Sequence, residues 1–346
     1  MTHPDFSNAL NWLRAHGMPE CEALIREVPE DFQVDEQFSG AFSGDGEHLI
    51  LHIEKRGLTT EEVVKSLARI VNKPESCISY AGLKDRHALT TQFFSLHLPG
   101  EYVEGAEALS APGWRVISAT RHHKKLRPGA LSGNRFLLRL REVSDTVALL
   151  EQLERVKQTG VPNYFGEQRF GREGGNLLKA HAMLAEGQKI RSRFHRGMYC
   201  SAARSWLFNE ILAARVRAAT WNKPLEGDVF QLAGSNSIFT VPILDATLHE
   251  RILARDISPA GPLAGKGKVV ASGEALSIIT EVYHTWQTWV LALEKMGLQE
   301  AWRANILHPE NLQCEVDGTT AELTFSLPAG AYATSVLREL VLYQTA

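Results

Sequence analysis

The amino-acid sequence predicts an α+β protein with a strand-rich part at each end and a helix-rich middle. Residues 46–98 alternate strand, helix and strand once, and they do not continue as the long βαβα series of an α/β protein. Residues 174–307 are instead dominated by apolar residues at helical spacing. Residues 321–340 return to a strand, a Pro-Ala-Gly turn and a helix. We therefore expect the middle of the chain to differ in architecture from its two ends.

Hydrophobic periodicity and local turn signals give the order of the elements. Alternation of apolar and polar residues predicts half-buried strands, as in the run that follows Pro29. A threonine cap with acids in the first turn predicts a helix that begins near Thr59. The expected strands are 30–36, 46–55, 90–98, 134–141, 227–232, 238–241 and 321–327. The expected helices are 6–16, 60–71, 176–186, 201–219, 274–296 and one that begins within 331–340.

The composition is that of an ordinary soluble globular protein of about two domains, with 346 residues, 44% of them hydrophobic and 22% charged. No apolar run reaches the roughly 18 to 20 residues of a membrane span. Residues 1–13 lack the pattern of a secretory signal, so we expect a cytoplasmic protein. The four cysteines are scattered without a Cys-x-x-Cys pair, which argues against a zinc site and a disulfide framework.

A basic segment stands out against the overall charge of −3. Between Arg121 and Arg141 the chain carries seven Lys or Arg residues and no acid. Such a segment can bind nucleic-acid phosphates with salt-sensitive affinity, or it can be a solvated surface. Its composition alone favours neither.

The stretch from Ser79 to Ala88 combines an apolar start, a glycine and an acid between two cations. Gly82 is expected to make a sharp turn that other residues resist, which places Asp85 on a loop, where working residues are often found. Lys84 and Arg86 would keep the Asp85 carboxylate ionised through charge proximity. An ionised carboxylate between cations suits an anionic substrate and a reaction that develops positive charge. On these residues alone, a turn residue with solvated neighbours is the more common explanation.

Tyr80-Ala81-Gly82-Leu83-Lys84-Asp85-Arg86-His87-Ala88 resembles the signature of the D family of tRNA pseudouridine synthases. Further matching segments follow in the family's order over nearly the whole chain, and they lie at 26–36, 134–136, 160–171 and 201–209. The resemblance implies a pseudouridine-synthase-type catalytic domain with a mostly antiparallel sheet, interrupted by a mainly helical α+β insertion domain. The implied limits are 1–159 and 308–346 for the catalytic domain and 160–307 for the insertion.

The same resemblance implies roles for individual residues. Asp85 is the essential aspartate. The residues expected to bind the substrate are Arg26, Phe32, Lys84, Asn134, Phe136 and Tyr332. Many family members have Lys in place of Arg26, and they often have Phe in place of Tyr332. A flipped base can use an amide for its edge and an aromatic ring for its face, which Asn134 and Phe136 would supply.

The implied reaction is the isomerisation of uridine to pseudouridine in tRNA, at position 13. The bond from C1′ to N1 breaks, the base rotates, and C5 joins C1′, so no cofactor is required. Asp85 either adds covalently to the ribose or acts as a base toward it. We expect the segment 121–141 to lie beside the active site and to contact the tRNA backbone. No membrane attachment and no obligatory protein partner are evident.

Two other functions stay open at this point. A non-catalytic tRNA-binding protein would use the basic segment alone and would not need Asp85. A hydrolase would use His87 or His97 with a nearby acid, and it would release a base or a fragment. An isomerase, in contrast, leaves the mass of the RNA unchanged.

Overall fold

A computed structural model describes Phe6 and residues 11–38, 40–127, 129–267 and 269–345 of the chain. These residues separate into two compact units. The sheet unit comprises residues 19–154, 309–333 and 340–345. The helical unit comprises Phe6 and residues 11–18, 155–308 and 334–339. The domain limits expected from the sequence, 1–159, 160–307 and 308–346, stay a prediction.

The described elements mix strands and helices, which confirms the α+β class. The strands are β1 (Glu22–Ile25), β2 (Phe32–Gln37), β3 (His48–Arg56), β4 (Ile78–Tyr80), β5 (Leu89–His97), β6 (Ser110–Ala111), β7 (Trp114–His122), β8 (Gly133–Leu140), β9 (Val161–Pro162), β10 (Val229–Leu232), β11 (Ile238–Thr240), β12 (Ile257–Leu263), β13 (Ala301–Ala304), β14 (Ile306–Leu307), β15 (Glu310–Asp317), β16 (Thr320–Pro328) and β17 (Leu342–Thr345). The helices are α1 (Thr60–Ile70), α2 (Thr146–Thr159), α3 (Gly175–Leu184), α4 (Arg193–Arg217), α5 (Ala246–Leu253), α6 (Gly273–Thr285), α7 (Gln287–Lys295) and α8 (Ala333–Leu340).

Two helix predictions need correction. The expected helix at 6–16 falls partly outside the described residues, and residues 11–16 form no helix. The expected single helix at 274–296 is two helices, α6 and α7, which meet at Trp286. Apolar periodicity runs through this junction, so the sequence pattern alone does not reveal the break.

The sheet unit is built on a nine-stranded sheet with the order β15-β16-β8-β2-β5-β3-β7-β6, and β4 adds to β5 off this path. Strands β2 and β5 run parallel. The other neighbours in the sheet run antiparallel, which confirms the expected mostly antiparallel sheet. Strands β1 and β17 form a separate parallel pair.

Helix α1 covers one face of this sheet. The Thr59 hydroxyl accepts from the Glu62 N–H at 3.2 Å, and the Glu62 carboxylate accepts from the Thr59 N–H at 2.7 Å. This reciprocal capping satisfies two N–H groups that a helix start leaves free. Val63, Val64 and Leu67 pack into a buried cluster with apolar residues of β3, β4, β5 and β7. The first turn of α1 is therefore held at a fixed place over the sheet.

One edge of β5 is shared between two strands, and the gap between them matters for the site. Thr91 near the start of β5 pairs with β2, whereas Phe94 pairs with Tyr80 of β4. Between these pairings, the Phe93 N–H donates to the buried carboxylate of Glu36 in β2 at 2.8 Å. The chain leaves β4 at this gap, so the loop 81–88 begins where the sheet edge divides.

The helical unit contains the 25-residue helix α4 and two small sheets. One sheet has the order β11-β10-β12-β13, which confirms the β element expected at 227–232 and 238–241, and β9 pairs with β14. Arg215 of α4 and Asp228 form a buried ion pair, and Arg215 also donates to the carbonyl of Lys223 at 2.8 Å. Such a pair is stable inside a protein because further hydrogen bonds compensate the lost hydration.

Candidate active site

Asp85 lies on the loop between β4 and β5, where the sequence places it. Gly82, however, does not adopt the left-handed backbone conformation, and a Cβ atom built at this position meets only open space. The expectation that the turn requires glycine is therefore wrong. The shape of the loop comes from side chains that bind its backbone.

Thr60 and Gln92 bind the first half of the loop. The Gln92 amide donates to the Gly82 carbonyl at 2.5 Å, and the Lys84 N–H donates to the Thr60 hydroxyl at 3.0 Å. The Thr60 hydroxyl in turn donates to the Gln92 amide oxygen at 2.9 Å. Both anchoring side chains are buried. Because the polar atoms of this network have partners, the network specifies one loop conformation.

Lys55 binds the loop at Asp85 itself. Its ammonium donates to the Asp85 carbonyl and to the Leu58 carbonyl, each at 2.7 Å, and the side chain is fully buried. Burial lowers the pKa of Lys55 to about 8, and the nearby Asp85 carboxylate opposes this shift. A buried ammonium with two carbonyl acceptors is a strong tether because charge-assisted hydrogen bonds are stronger than neutral ones.

The Asp85 carboxylate faces Arg26. Its Oδ2 atom lies 3.2 Å from an Arg26 guanidinium nitrogen, and the Asp85 and Arg26 side chains are 37% and 16% exposed. The guanidinium also lies 4.0 Å from the centre of the Phe32 ring, a cation–π arrangement that fixes its plane. Arg26 follows β1 with φ of 60°, an uncommon conformation for a residue with a side chain. The backbone thus accepts strain at the residue that pairs with the carboxylate.

The two cations beside Asp85 in the sequence have other partners. The Lys84 ammonium lies 2.6 Å from the Glu36 carboxylate, and the Arg86 guanidinium pairs with Glu62. Arg26, 59 residues away in the sequence, donates to the Asp85 carboxylate instead. Glu36 is buried, and burial raises its pKa although Lys84 and the Phe93 N–H oppose the shift. The pair of Glu36 and Lys84 ties the loop to β2 at the divided edge of β5.

Phe32 and Phe136 lie close together on one face of the sheet. Their ring centres are 6.4 Å apart at 77°, and Phe136 stacks on Phe325 at 5.4 Å. Phe32 is 3% exposed and Phe136 is 7% exposed, so both rings contribute to the core. Arg26 therefore lies at one end of an aromatic row that continues into the sheet.

Asn134 lies on β8 directly opposite Glu36 of β2 and opposite Leu327 of β16. Its Oδ1 atom is buried without a hydrogen-bond partner among the described residues. Tyr332 is half-buried in the turn that follows β16, past the strand end that pairs with Gly133. A Cβ atom on Gly133 would lie 2.3 Å from the Leu327 carbonyl oxygen, so only glycine allows these strands to approach here. The pairing of β8 with β16 thus places Asn134 and the turn of Tyr332 at the same end of these two strands.

The basic segment 121–141 does not form one patch. Arg139 and Arg141 pair with Glu322 and Asp31. Its first half extends from β7, where His122 pairs with His48 at the start of β3, whereas Lys55 binds the Asp85 loop near the end of β3. Seven residue steps of strand separate these points, which is roughly 23 Å. The expectation that the segment lies beside the active site is therefore wrong for its first half.

Sequence reasoning missed several residues that shape the loop. They are Glu36, Lys55, Thr60 and Gln92. For Lys55 a signal exists, because it continues the buried alternation of Leu49, Leu51 and Ile53, so a lysine occupies a core-facing position. A charged residue in that phase must find a buried partner.

The histidines of the hydrolase alternative lie apart. His87 is exposed on the Asp85 loop. His97 ends β5 and lies 3.5 Å from Glu47, with its ring stacked on His48.

Among the described residues, no group of three or more His, Cys, Asp or Glu side chains is arranged to hold a metal ion. None of the described helices is both long and apolar enough to span a bilayer.

Comparisons with known proteins find similar sequences along nearly the whole chain. The family model of tRNA pseudouridine synthase D (TruD) matches residues 13–188 and 176–340. The tRNA pseudouridine synthase D of Legionella pneumophila strain Lens is 59% identical over 336 residues, which cover 97% of this chain and 99% of the relative. The protein of the same name from Methylococcus capsulatus is 43% identical over 341 residues, covering 98% and 96% of the two chains.

Solved structures with a similar fold include one from an archaeon. It is a crystal structure from Methanosarcina mazei assigned to tRNA pseudouridine synthase D, with a TM-score of 0.75 over 99% of this chain and 98% of that chain. The two sequences are 23% identical, so this likeness supports the fold alone.

Proposed function

This chain belongs to the tRNA pseudouridine synthase D family, whose members isomerise uridine to pseudouridine in tRNA, and we propose that its target is the uridine at position 13 and that Asp85 acts on the ribose. The setting of Asp85 carries the proposal. Its carboxylate is partly exposed and faces Arg26, while side chains bind its own carbonyl and the loop backbone before it. A carboxylate on such a fixed loop is positioned for a reacting ribose before the substrate arrives.

The reaction conserves every atom of the nucleotide. In the covalent route, an Asp85 oxygen bonds to C1′ as the electron pair of the C1′–N1 bond moves to the base. The base rotates, C5 bonds to C1′, the carboxylate leaves, and the C5 proton is lost while N1 gains one. In the base route, Asp85 removes the C2′ proton as the C1′–N1 bond breaks, and the proton returns to C2′ when C5 bonds to C1′. C5 then loses its proton and N1 gains one, as in the covalent route.

The other proposed site residues divide the remaining tasks. Arg26 neutralises the Asp85 carboxylate and fixes its orientation. Asn134 reads the edge of the flipped uracil through its amide, and Phe32, Phe136 and Tyr332 form the apolar side of the pocket. The proposed role of Lys84 in substrate binding is indirect, because its ammonium is bonded to Glu36 and the side chain is only 9% exposed.

The test is pseudouridine formation on a tRNA transcript by wild type and by Asp85→Asn. We expect wild type to convert the uridine at position 13 with no change in RNA mass. We expect Asp85→Asn to lose at least about 100-fold in turnover, the lower range for removal of a catalytic proton or nucleophilic function. Asp256→Asn is the matched control, because Asp256 is exposed and pairs with Arg251.

Three results would overturn parts of the proposal. Near-normal turnover by Asp85→Asn would remove Asp85 from the chemistry. A transcript with cytidine at position 13 should form no pseudouridine. If it forms as much pseudouridine as the wild-type transcript, the modified uridine lies elsewhere and the position assignment is wrong. A substrate deuterated at C2′ separates the two routes, because only the base route breaks the C2′–H bond and slows.

A further inference from the structure

A second pocket lies in the sheet unit at the end of β3 that is remote from Asp85. It has a volume of about 710 Å³. The side chains that matter for its chemistry are those of Phe38, His48, His122, Lys124, Lys125 and Arg127. This volume falls within the range of roughly 300 to 1,000 Å³ that is typical of ligand pockets. We call it the histidine pocket.

The walls of the histidine pocket are held by backbone contacts. A Cβ atom on Gly46, which has φ of 111°, would lie 2.6 Å from the His122 carbonyl oxygen. Only glycine therefore allows the loop before β3 to pack against this part of the chain. Leu126 is 3% exposed and anchors the segment that carries the three cations. The buried side chain of Leu126 thus holds the chain between Lys125 and Arg127.

The cations of the pocket are available to a ligand. Lys124, Lys125 and Arg127 are exposed, and among the described residues none has a carboxylate within 4.0 Å. The acids nearby have partners of their own. Asp45 lies 3.2 Å from His123, which also lines the pocket, and Glu47 lies 3.5 Å from His97. Within the described part of the chain, no carboxylate lines the pocket itself. The pocket is therefore cationic inside a chain of net charge −3.

The histidines add neutral donors. The Ser43 N–H donates to His122 Nδ1 at 3.2 Å, so the neutral His122 ring carries its proton on Nε2. Burial lowers the pKa of His48, and the neighbouring Lys125 ammonium lowers it further against the effect of Glu47. His48 is therefore neutral near pH 7. Phe38, which stacks on Phe42 at 4.5 Å, supplies an apolar wall.

We propose that the histidine pocket binds backbone phosphates of the substrate RNA. Three cations available to a ligand, neutral imidazole donors and an aromatic wall match a phosphate with its attached nucleoside. RNA is the favoured occupant because the family acts on tRNA, a polyanion long enough to reach both this pocket and Asp85. The inference rests on the proposed function only in taking tRNA as the ligand.

The test measures how tRNA affinity depends on salt. The probe is an unmodified tRNA transcript, bound to full-length protein in the Asp85→Asn background so that no conversion occurs. Lys124→Ala with Lys125→Ala removes two pocket cations. The matched control is Lys73→Ala with Arg115→Ala, which removes two cations that already pair with Glu101 and Glu54. Melting temperatures confirm that each variant is folded.

We expect the pocket variant to bind more weakly and to lower the log–log salt slope by roughly 0.9 for each phosphate that it no longer neutralises, while the control keeps the wild-type slope. When the same pocket substitutions are made in the protein that keeps Asp85, the KM for tRNA should rise, while kcat at saturating tRNA should stay within about twofold of the wild-type value. An unchanged slope, or an equal weakening in the control, would overturn the proposal. So would competition by poly-L-glutamate as strong as that by tRNA, because the pocket would then accept any polyanion. Binding is measured without turnover, so failure of the proposed reaction would not be mistaken for failure of this site.

Discussion

Lys55 and Asp85 are joined through the main chain, because the Lys55 ammonium donates to the Asp85 carbonyl at 2.7 Å and not to its carboxylate. The carboxylate faces Arg26. One residue thus fixes where Asp85 sits, and another sets the charge around its side chain. These two tasks can be separated by substitution.

Lys55→Met should reduce turnover more than it reduces stability. The variant keeps most of the side-chain volume but leaves the Leu58 and Asp85 carbonyls without their donor, at a cost of roughly 1 to 3 kcal/mol for a buried unsatisfied group. Removal of a buried charge offsets part of that cost. We expect kcat to fall at least about tenfold, since a misplacement of about 1 Å can cost 100-fold. Amide hydrogen exchange of residues 82–86 should speed up.

Lys65→Met is the matched control, because Lys65 lies exposed on α1. It should leave both turnover and exchange unchanged. A Lys55→Met enzyme with wild-type kcat and a protected loop would show that the tether is dispensable.

The stability of the protein should depend on pH through Lys55. Below pH 8 this lysine is protonated in the folded and unfolded states, and burial of its charge destabilises the fold in full. Between the folded pKa of about 8 and the ordinary value of 10.5, the unfolded chain binds a proton that the folded chain has released. Linkage then makes the free energy of unfolding rise with pH across this window, by up to about 3 kcal/mol at 1.36 kcal/mol per unit.

The measurement is urea unfolding of wild type and Lys55→Met from pH 7.5 to 10. Other groups that titrate in this range cancel in the difference between the two proteins. We expect the difference to move in favour of wild type as pH rises. A difference that is flat with pH would mean that Lys55 keeps an ordinary pKa in the folded protein.

The sequence predicts the order of the elements better than it predicts the partners of the site. Alternation and capping signals are local, and they place β3, α1, β5 and Asp85 on its loop correctly. Charge proximity along the chain fails, because Lys84 bonds to Glu36 and Arg86 to Glu62, whereas Arg26 faces Asp85. The pairing of distant strands decides these contacts, and no local pattern encodes it.

Glu36→Gln should destabilise the protein and recover when Lys84 is also replaced. The amide still offers an oxygen to the Phe93 N–H, but the Lys84 ammonium loses its compensating charge at a largely buried position. Breaking such a pair from one side costs roughly 3 to 5 kcal/mol, whereas replacing both partners by neutral residues is often close to neutral.

A double-mutant cycle with Glu36→Gln, Lys84→Met and the double variant measures the coupling by urea unfolding. We expect the double variant to be more stable than Glu36→Gln. Additive losses of stability would mean that the two side chains do not act as a pair. Turnover should be low in Glu36→Gln and in the double variant alike, because both lack the ion pair of Lys84 and Glu36 that joins the loop to β2.

Leucine substitutions should distinguish the aromatic rings that hold the base from one that only packs. Phe32→Leu and Phe136→Leu keep apolar volume but remove the ring, and stacking of a base on one aromatic ring is worth roughly 1 to 3 kcal/mol. We expect kcat/KM to fall about 5- to 150-fold for either variant, which is the same range converted at 1.36 kcal/mol per tenfold. Phe325→Leu is the control, since Phe325 is fully buried behind Phe136. It should lower the melting temperature and leave the kcat/KM of the folded protein near wild type, so equal reductions in all three would assign the rings to the core.

Arg26 should tolerate lysine far better than alanine. Lysine keeps the positive charge opposite the Asp85 carboxylate. It lacks the planar guanidinium that lies 4.0 Å over Phe32, and lysine has a different hydrogen-bond geometry. We expect Arg26→Lys to retain kcat within about tenfold and Arg26→Ala to lose about 100-fold or more, because alanine removes the cation that faces a partly buried carboxylate.

Arg56→Ala is the matched control, since Arg56 pairs with Glu30 and is largely exposed. Single-turnover kinetics at saturating tRNA measure the effect on chemistry apart from binding. Equal reductions for lysine and alanine would show that the shape of the guanidinium, and not its charge, is what Asp85 requires.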